Sequence, residues 1–428
     1  MEKSKEIDAI LFSELTLALG CTEPACAALS GARLRDELGV MPAKAHVNVS
    51  RDMMKNAMGV SIPNSSLSGI SAAVALGLAT GESQRGLSVL SALDDEKRMK
   101  ASGIEIELEL VEDVPSLFIE VEAEAGGHTA SVAIENEHDR FSRIIKDGVK
   151  IEGNSSFFSE CESSIENDLL DSLTLKDVVE YAESLSPEVK ELLKNAYRTN
   201  LEISYAGLEE DWGLAVGRTM FPMVRKIESV DDAMRKAAAL AASGSDARMS
   251  GSCRPVVINS GSGNQGITVT VPVALVAEYL KCGDEKLISA LAISELVGLI
   301  LTNKKARLSA LCGAFTASIA TASSWVYLLG GGLKEMDAAI NNMIANLTGI
   351  ICDGAKKTCA LKIYSSLIAA SVSVHLALKG MSASKESGIV GSDSLESIKY
   401  LSQLSHEGME ETDKTILKIM IEKSSNNS

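Results

Sequence analysis

The segments IEIELELVED (residues 104–113) and SLFIEVEAEAGGHTASVAIENE (residues 116–137) alternate apolar and acidic residues over most of their length. A period of two is typical of strands that bury one face and expose the other. Gly126 and Gly127 interrupt the second segment, and paired glycines favour a hairpin turn. The two segments therefore predict an antiparallel or mixed sheet with one solvent-facing side.

Helical patterns flank these strands. In residues 1–38, and in most of the chain after residue 160, apolar residues recur at spacings of three and four. The stretch PVVINSGSGNQGITVTVPV (255–273) is rich in β-branched residues and glycine, and it interrupts the pattern. The sequence predicts an α+β fold, in which a mainly helical domain (residues 1–40 plus 156–428) carries a smaller inserted α/β domain (residues 41–155).

Charge and composition exclude some classes of partner. The 428 residues include 41 Lys and Arg against 58 Asp and Glu, a net charge of −17. This balance argues against a nucleic-acid or anionic-membrane partner. Residues 308–333 carry no charge, but their serines, threonines and glycines predict a buried helix rather than a membrane span. The N-terminal residues do not resemble a signal peptide, and we expect a cytoplasmic protein.

Eight cysteines stand out in a chain expected to keep its thiols reduced. Clustered cysteines in such a chain suggest metal binding or catalysis before disulfides. Basic residues gather around Cys312, Cys352 and Cys359, and cations favour the thiolate that binds metal. These residues are Lys304, Lys305, Arg307, Lys356 and Lys357. The Asp353-Gly354 turn would let Cys352 and Cys359 converge. The spacings match no zinc knuckle and no ferredoxin run, so buried structural cysteines remain an alternative.

The glycine-rich segment GSGNQG (261–266) formally matches G-x-G-x-x-G. A dinucleotide fold would require a helix directly after it, whereas ITVTVPV with Pro272 predicts no regular helix there. We therefore expect no NAD. Our interpretation is a loop whose N–H groups, with Asn264 and Gln265, hold a small anion such as a carboxylate.

Six segments, in this order, resemble the L-cysteine desulfidase family, which is related to the alpha chain of iron–sulfur L-serine dehydratases. The resemblance covers nearly the whole chain, and six ordered motifs are more specific than any one alone. The segments are GCTEPA (20–25), KNAMGVSIPN (55–64), SDARM (245–249), GSGNQGI (261–267), LSALCGA (308–314) and ICDGAKKTCALK (351–362).

The resemblance implies that the helical domain is catalytic. Cys312, Cys352 and Cys359 would hold a [4Fe–4S] cluster with one open iron. The implied reaction is the elimination of L-cysteine to pyruvate, ammonia and hydrogen sulfide, without PLP. The alternatives are L-serine as the substrate, and a non-enzymatic iron–sulfur or zinc protein.

Cys21 is the base that the resemblance favours. Thr22-Glu23-Pro24 predicts a turn into a helix, and a thiol at a helix start could have a lowered pKa. Cys21 could instead be a fourth cluster ligand or merely buried. Glu23 is a second candidate base, although an acidic residue at that position often serves only the helix N-terminus.

The amino-acid substrate needs partners for its carboxylate and ammonium groups. Ser262, Asn264 and Gln265 are the first candidates for the carboxylate, and Lys55, Asn56 and Arg248 are further ones. Of the histidines, we expect only His128 to reach the site, and we interpret the other four, His138 among them, as structural or exposed. The expected partner is a small amino acid, and the apolar helices are compatible with a homodimer.

Overall fold

A computed structural model of the chain describes residues 2–151, 168–305 and 308–425. The predicted boundary at 155/156, Cys161 and Arg307 lie outside these residues. Eight strands are described: β1 (Leu17–Leu19), β2 (Lys44–Ser50), β3 (Glu105–Val111), β4 (Phe118–Ala125), β5 (His128–Glu135), β6 (Phe141–Lys146), β7 (Val149–Lys150) and β8 (Pro255–Val257).

The helices dominate the chain, and the described fold is α+β, as predicted. Before the sheet is complete they are α1 (Glu2–Glu14), α2 (Thr22–Leu38), α3 (Arg51–Ala57), α4 (Ile70–Thr80) and α5 (Asp95–Ala101). After it come α6 (Leu175–Ala182), α7 (Pro187–Glu209), α8 (Val216–Met220), α9 (Val230–Met249), α10 (Gly263–Tyr279), α11 (Asp284–Lys305), α12 (Gly313–Leu328), α13 (Leu333–Leu347), α14 (Cys359–Ala377), α15 (Ser394–Gln403) and α16 (Glu410–Ser425).

The predicted sheet is present and mixed. Its strand order is β3-β2-β4-β5-β6-β7, with β2 and β3 parallel and the other neighbours antiparallel. The β4–β5 hairpin turns at Gly126 and Gly127, which have φ angles of 62° and 82°. Both angles are positive, the conformation that a tight hairpin turn requires and that glycine adopts at little cost. The alternation seen in the sequence thus corresponds to real strands.

One face of this sheet is covered by α2, which packs on β4, β5 and α4. The face is apolar because Val47, Val121 and Val132 are paired in register across three strands and are buried. α2 and α4 approach each other closely: a Cβ at Gly77 would lie 2.0 Å from the carbonyl oxygen of Ala28. This packing fixes α2, whose first residues belong to the candidate site, against a rigid support. The division of the chain into two domains stays a prediction.

The expectation of no regular helix after the glycine loop was wrong. α10 begins at Gly263 and continues through Pro272. Proline cannot donate to the carbonyl four residues earlier, and here Thr321 Oγ1 donates to that carbonyl, Thr268 O, at 2.7 Å. Trp325 Nε1 donates to the carbonyl of Pro272 at 3.2 Å. Burial and these tertiary bonds override the local preference of β-branched residues.

The uncharged run at 308–333 forms the buried helix α12, as predicted. Its hydroxyls are satisfied internally: Ser318 donates to Ala314 O at 2.8 Å and Ser324 to Ala290 O at 2.7 Å. By length and hydropathy, one described helix, α14, could cross a membrane, and half of its apolar 18-residue stretch is buried in the protein. A core helix of a globular protein meets the same criteria, so this is weak support for a membrane span.

Candidate active site

Cys312 and Cys352 are brought together by a short backbone pairing. Cys312 N donates to Ile350 O at 3.1 Å, and Cys352 N donates to Ala310 O at 2.7 Å. The two thiols interact, and this interaction, together with the charge of Lys55, outweighs burial and lowers the pKa of Cys352 to about 6, whereas the pKa of Cys312 is raised. One thiolate is therefore available at neutral pH next to a second thiol.

The predicted turn between Cys352 and Cys359 is present. Gly354 has a φ of 89°, and a Cβ there would lie 2.3 Å from the carbonyl oxygen of Lys55. Glycine is needed both for this φ and for this close approach. After the turn, α14 begins at Cys359, whose sulfur accepts from Lys356 N at 3.4 Å. Cys352 and Cys359 consequently face one pocket instead of lying apart along a single helix.

Cys21 is the N-cap residue of α2, where the sequence predicted a helix start. Its thiol donates to Glu23 Oε2 at 2.8 Å, and Asn56 Nδ2 donates to Glu23 Oε1 at 3.1 Å. The predicted low pKa of Cys21 was wrong, because burial and the charge of Glu23 raise the pKa of the thiol well above its usual value.

The Glu23 carboxyl behaves in the opposite way. Burial opposes its ionisation, but the charge of His138 and the Cys21 hydrogen bond outweigh burial and lower its pKa. The pair is therefore a neutral thiol beside an ionised carboxylate, and Glu23 stays a candidate base.

The glycine loop forms the N-terminus of α10. Ser262 is its N-cap residue and accepts from Gln265 N at 3.4 Å. Gln265 Oε1 accepts from Thr302 Oγ1 at 3.0 Å. The preceding strand β8 pairs only with β1, and the two are antiparallel, so the described residues contain no βαβ unit around this loop.

One pocket collects these groups, and it is lined by eight of the residues that the sequence predicted for catalysis, substrate and metal. These eight are Cys21, Asn56, Ser262, Asn264, Gln265, Cys312, Cys352 and Cys359. Glu23, His138, Arg248 and Lys305 also line it. The roles predicted for the eight stay predictions, although their shared location supports a single site.

The prediction for the histidines was wrong. His128 is exposed and bonds Asp147 Oδ2 at 2.7 Å, outside the pocket lining, whereas His138 is buried and lines the pocket. No local motif surrounds His138; it reaches the site because the chain after β5 passes beside α2. Lys55, predicted as a possible partner of the substrate carboxylate, instead forms an ion pair through its buried ammonium with Asp413 of α16.

The N-termini of four helices converge on this pocket. α2 begins after Cys21, α10 after Ser262 and α12 after Cys312, while Cys359 is the first residue of α14. Each helix N-terminus carries unsatisfied N–H groups and a partial positive charge. Lys305, buried beside Cys352 and Cys312, adds a cation whose pKa is lowered by burial to about 8. The pocket is thus electropositive inside a strongly acidic chain, and it suits an anionic group.

A buried carboxyl supports the glycine loop from behind. Asn259, which exchanges backbone hydrogen bonds with Ser262, donates through Nδ2 to Glu295 Oε2 at 2.6 Å. Burial raises the pKa of Glu295 from 4.5 to about 8. The native state therefore holds a proton on Glu295 that the unfolded chain releases above about pH 4.5.

This proton makes stability depend on pH. The contribution of protonated Glu295 to the free energy of unfolding is fully present below pH 4.5 and is lost as the pH rises to about 8. In the wild-type protein, we expect the free energy of unfolding to fall by about 3–5 kcal/mol across this pH range. In Glu295→Gln, we expect this fall to be absent. Urea unfolding at a series of pH values measures it. Glu285→Gln, at an exposed position of the same helix, should leave the decline intact, and equal slopes in the two variants would contradict the assignment.

Comparison with known proteins agrees with this geometry. Residues 84–418 match the family described as the serine dehydratase alpha chain. The chain belongs to that family. Similar full-length relatives are UPF0597 proteins of Oleidesulfovibrio alaskensis (38% identical, covering 99% of each chain) and Finegoldia magna (38%, covering 98% of this chain and 100% of the relative). A third, from Bacteroides fragilis, is 36% identical over 98% of each chain.

Membership of the serine dehydratase alpha chain family indicates a lyase-type enzyme. The family also relates the chain to iron–sulfur dehydratases. The matched residues include three of the lining cysteines, Cys312, Cys352 and Cys359, whereas Cys21 lies before the matched range. The full-length relatives extend the similarity over the part of the chain that contains Cys21.

Proposed function

We propose that this protein is an L-cysteine desulfidase, which eliminates L-cysteine to pyruvate, ammonia and hydrogen sulfide without PLP. The observation that carries the proposal is the meeting of Cys312, Cys352 and Cys359 with the Cys21–Glu23 pair in one pocket. A thiol-rich pocket with an ionised carboxylate offers both a metal-binding side and a proton-accepting side. The family supports a lyase, and the resemblance of the six motifs supports the carbon–sulfur bond as its target.

The three cysteines suit an iron–sulfur cluster. Their donor set is sulfur only, and thiolates are the ligands of such clusters. In residues 2–151, 168–305 and 308–425, no three Cys, His, Asp or Glu side chains converge on one metal ion. When bound, a [4Fe–4S] cluster would supply one open iron as a Lewis acid for the β-thiol of the substrate.

The remaining chemistry belongs to the side chains of this protein. Elimination breaks the Cα–H and Cβ–S bonds and forms a Cα–Cβ double bond. The Cα proton is accepted by the Cys21–Glu23 pair, in which the ionised carboxylate is the final acceptor. Sulfide leaves, and the aminoacrylate product tautomerises to an imine that water hydrolyses to pyruvate and ammonia. Asn56 holds the Glu23 carboxylate in place from the opposite side at 3.1 Å.

The substrate assay tests this proposal. We expect the anaerobically purified protein to release equal amounts of pyruvate and sulfide from L-cysteine, with a higher kcat/KM than for pyruvate from L-serine. The family name makes L-serine the second candidate substrate. A higher kcat/KM for L-serine would replace the desulfidase with a serine dehydratase. Turnover of neither amino acid by iron-loaded protein would favour a non-enzymatic iron–sulfur protein.

A further inference from the structure

Arg248 is a buried cation whose hydrogen-bond donors are mostly open. It lies in the last turn of α9, it is 3% exposed, and it lines the pocket. Among the described residues, its Nε and Nη2 atoms have no hydrogen-bond partner, and Nη1 has only the sulfur of Met249 at 3.9 Å. A guanidinium stays charged at any physiological pH, and burying it unpaired is costly. Such a group is well suited to an anion that enters the pocket.

The glycine loop holds this guanidinium in place. A Cβ at Gly263 would lie 2.4 Å from Arg248 Nε and 2.9 Å from its Cζ. The backbone of the loop thus packs directly on the guanidinium group. Ser262 Oγ and Gln265 Oε1 each accept a hydrogen bond within the protein, as described above. The planar fork of Arg248 is pre-oriented, and a carboxylate is the anion that matches it in a bidentate manner.

Two amide oxygens of the pocket are acceptors that lack a hydrogen-bond donor in the described part of the chain. Among the described residues, Asn56 Oδ1 and Asn264 Oδ1 are buried and have no donor. The orientation of Asn56 is set by its Nδ2, which donates to Glu23 Oε1. Asn264 Nδ2 points to the sulfur of Met249 at 3.2 Å. Both side chains therefore offer acceptors, and buried acceptors without a donor are unfavourable until one arrives.

We infer that the pocket recognises the zwitterion of a free α-amino acid, with the carboxylate on Arg248 and the ammonium on the amide oxygens of Asn56 and Asn264. The open donors and the open acceptors complement the two charged groups of one small molecule. The inference rests on the proposed function only in taking that molecule to be the substrate. This recognition predicts weak binding of compounds that lack one of the two charges: N-acylated amino acids, peptides joined through their carboxylate, and simple thiols.

The test compares Arg248→Met with Arg235→Met, a control at an exposed position of the same helix. In the anaerobically purified protein, we expect Arg248→Met to raise the KM for L-cysteine and the Kd for L-alanine by about 100-fold. L-Alanine has no leaving group, so its binding, measured by calorimetry, does not depend on turnover. Propionate and ethylamine, each with one of the two charges, should bind the wild-type protein at least 100-fold more weakly than L-alanine.

A second readout separates binding from support of the fold. Removing a buried charge whose hydrogen-bond donors are open should change Tm little, whereas loss of a structural arginine would lower it. Unchanged L-alanine affinity in Arg248→Met, or equal affinity of the wild type for ethylamine, would overturn the inference even if L-cysteine is turned over. Tight L-alanine binding without any pyruvate release would support the inference and contradict the proposed function.

Discussion

Cys352→Ser should leave the protein almost without iron. The serine hydroxyl is a poor replacement for the thiolate, and among the four cysteines that line the pocket the pKa is lowered for Cys352 alone. We expect bound iron and acid-labile sulfide per chain to fall by about tenfold or more after anaerobic reconstitution, together with the brown colour. Cys312→Ser and Cys359→Ser should behave in the same way. Iron and sulfide analysis with visible absorption spectra measures the effect.

Cys282→Ser is the matched control, because Cys282 lies between α10 and α11 and does not line the pocket. It should retain iron at the wild-type level. A Cys352→Ser protein that retains its iron would show that Cys352 is not a ligand. Wild-type protein that is colourless and loaded with zinc would contradict the cluster for all three cysteines.

Cys21→Ser and Glu23→Gln should lose turnover while keeping iron. Cys21 and Glu23 share a hydrogen bond at 2.8 Å, and removing either partner interrupts proton transfer without touching the three predicted ligands. We expect kcat with L-cysteine to fall by about 10²–10⁴-fold in both variants. Pyruvate release and iron content, measured on the same preparations, check this. Cys26→Ala, one turn further along α2 and outside the pocket lining, serves as the control and should keep kcat within a small factor of wild type.

The comparison of these variants assigns the base. If Glu23→Gln is inactive and Cys21→Ser is active, the carboxylate accepts the proton directly. If Cys21→Ser loses iron, Cys21 is a fourth ligand and the proposed elimination lacks an open iron. Wild-type turnover in both variants would show that neither Cys21 nor Glu23 accepts the Cα proton.

The strands of the sheet could be predicted because their signal is local. Alternation in 104–113 and the paired glycines at 126 and 127 act through neighbours in the chain. α10 could not be predicted in this way. Its β-branched residues and Pro272 disfavour a helix, and what stabilises the helix comes from elsewhere: Thr321 of α12 donates to the carbonyl that Pro272 leaves without a donor, and Trp325 adds a hydrogen bond to Pro272 itself.

The same distinction applies to the site. Cys312, Cys352, Cys359 and the glycine loop were identifiable because ordered motifs carry them, and the turn at Gly354 is a local signal. The raised pKa of Cys21 could not be predicted, because it results from burial and from the charge of Glu23, and both effects depend on the folded pocket. His138 was missed for a related reason, since its place beside Glu23 depends on how the chain runs after β5.

The buried ion pair between Lys55 and Asp413 has a consequence for the order of events during synthesis. A ribosome that has made Cys21 and Lys55 still has to make α14, which supplies Cys359, and α16, which supplies the counter-ion of Lys55. Until α16 docks, the ammonium of Lys55, whose charge acts on Cys352, lacks this counter-ion. With the ligands proposed above, a cluster could be completed only after α14, and therefore most of the chain, has been made.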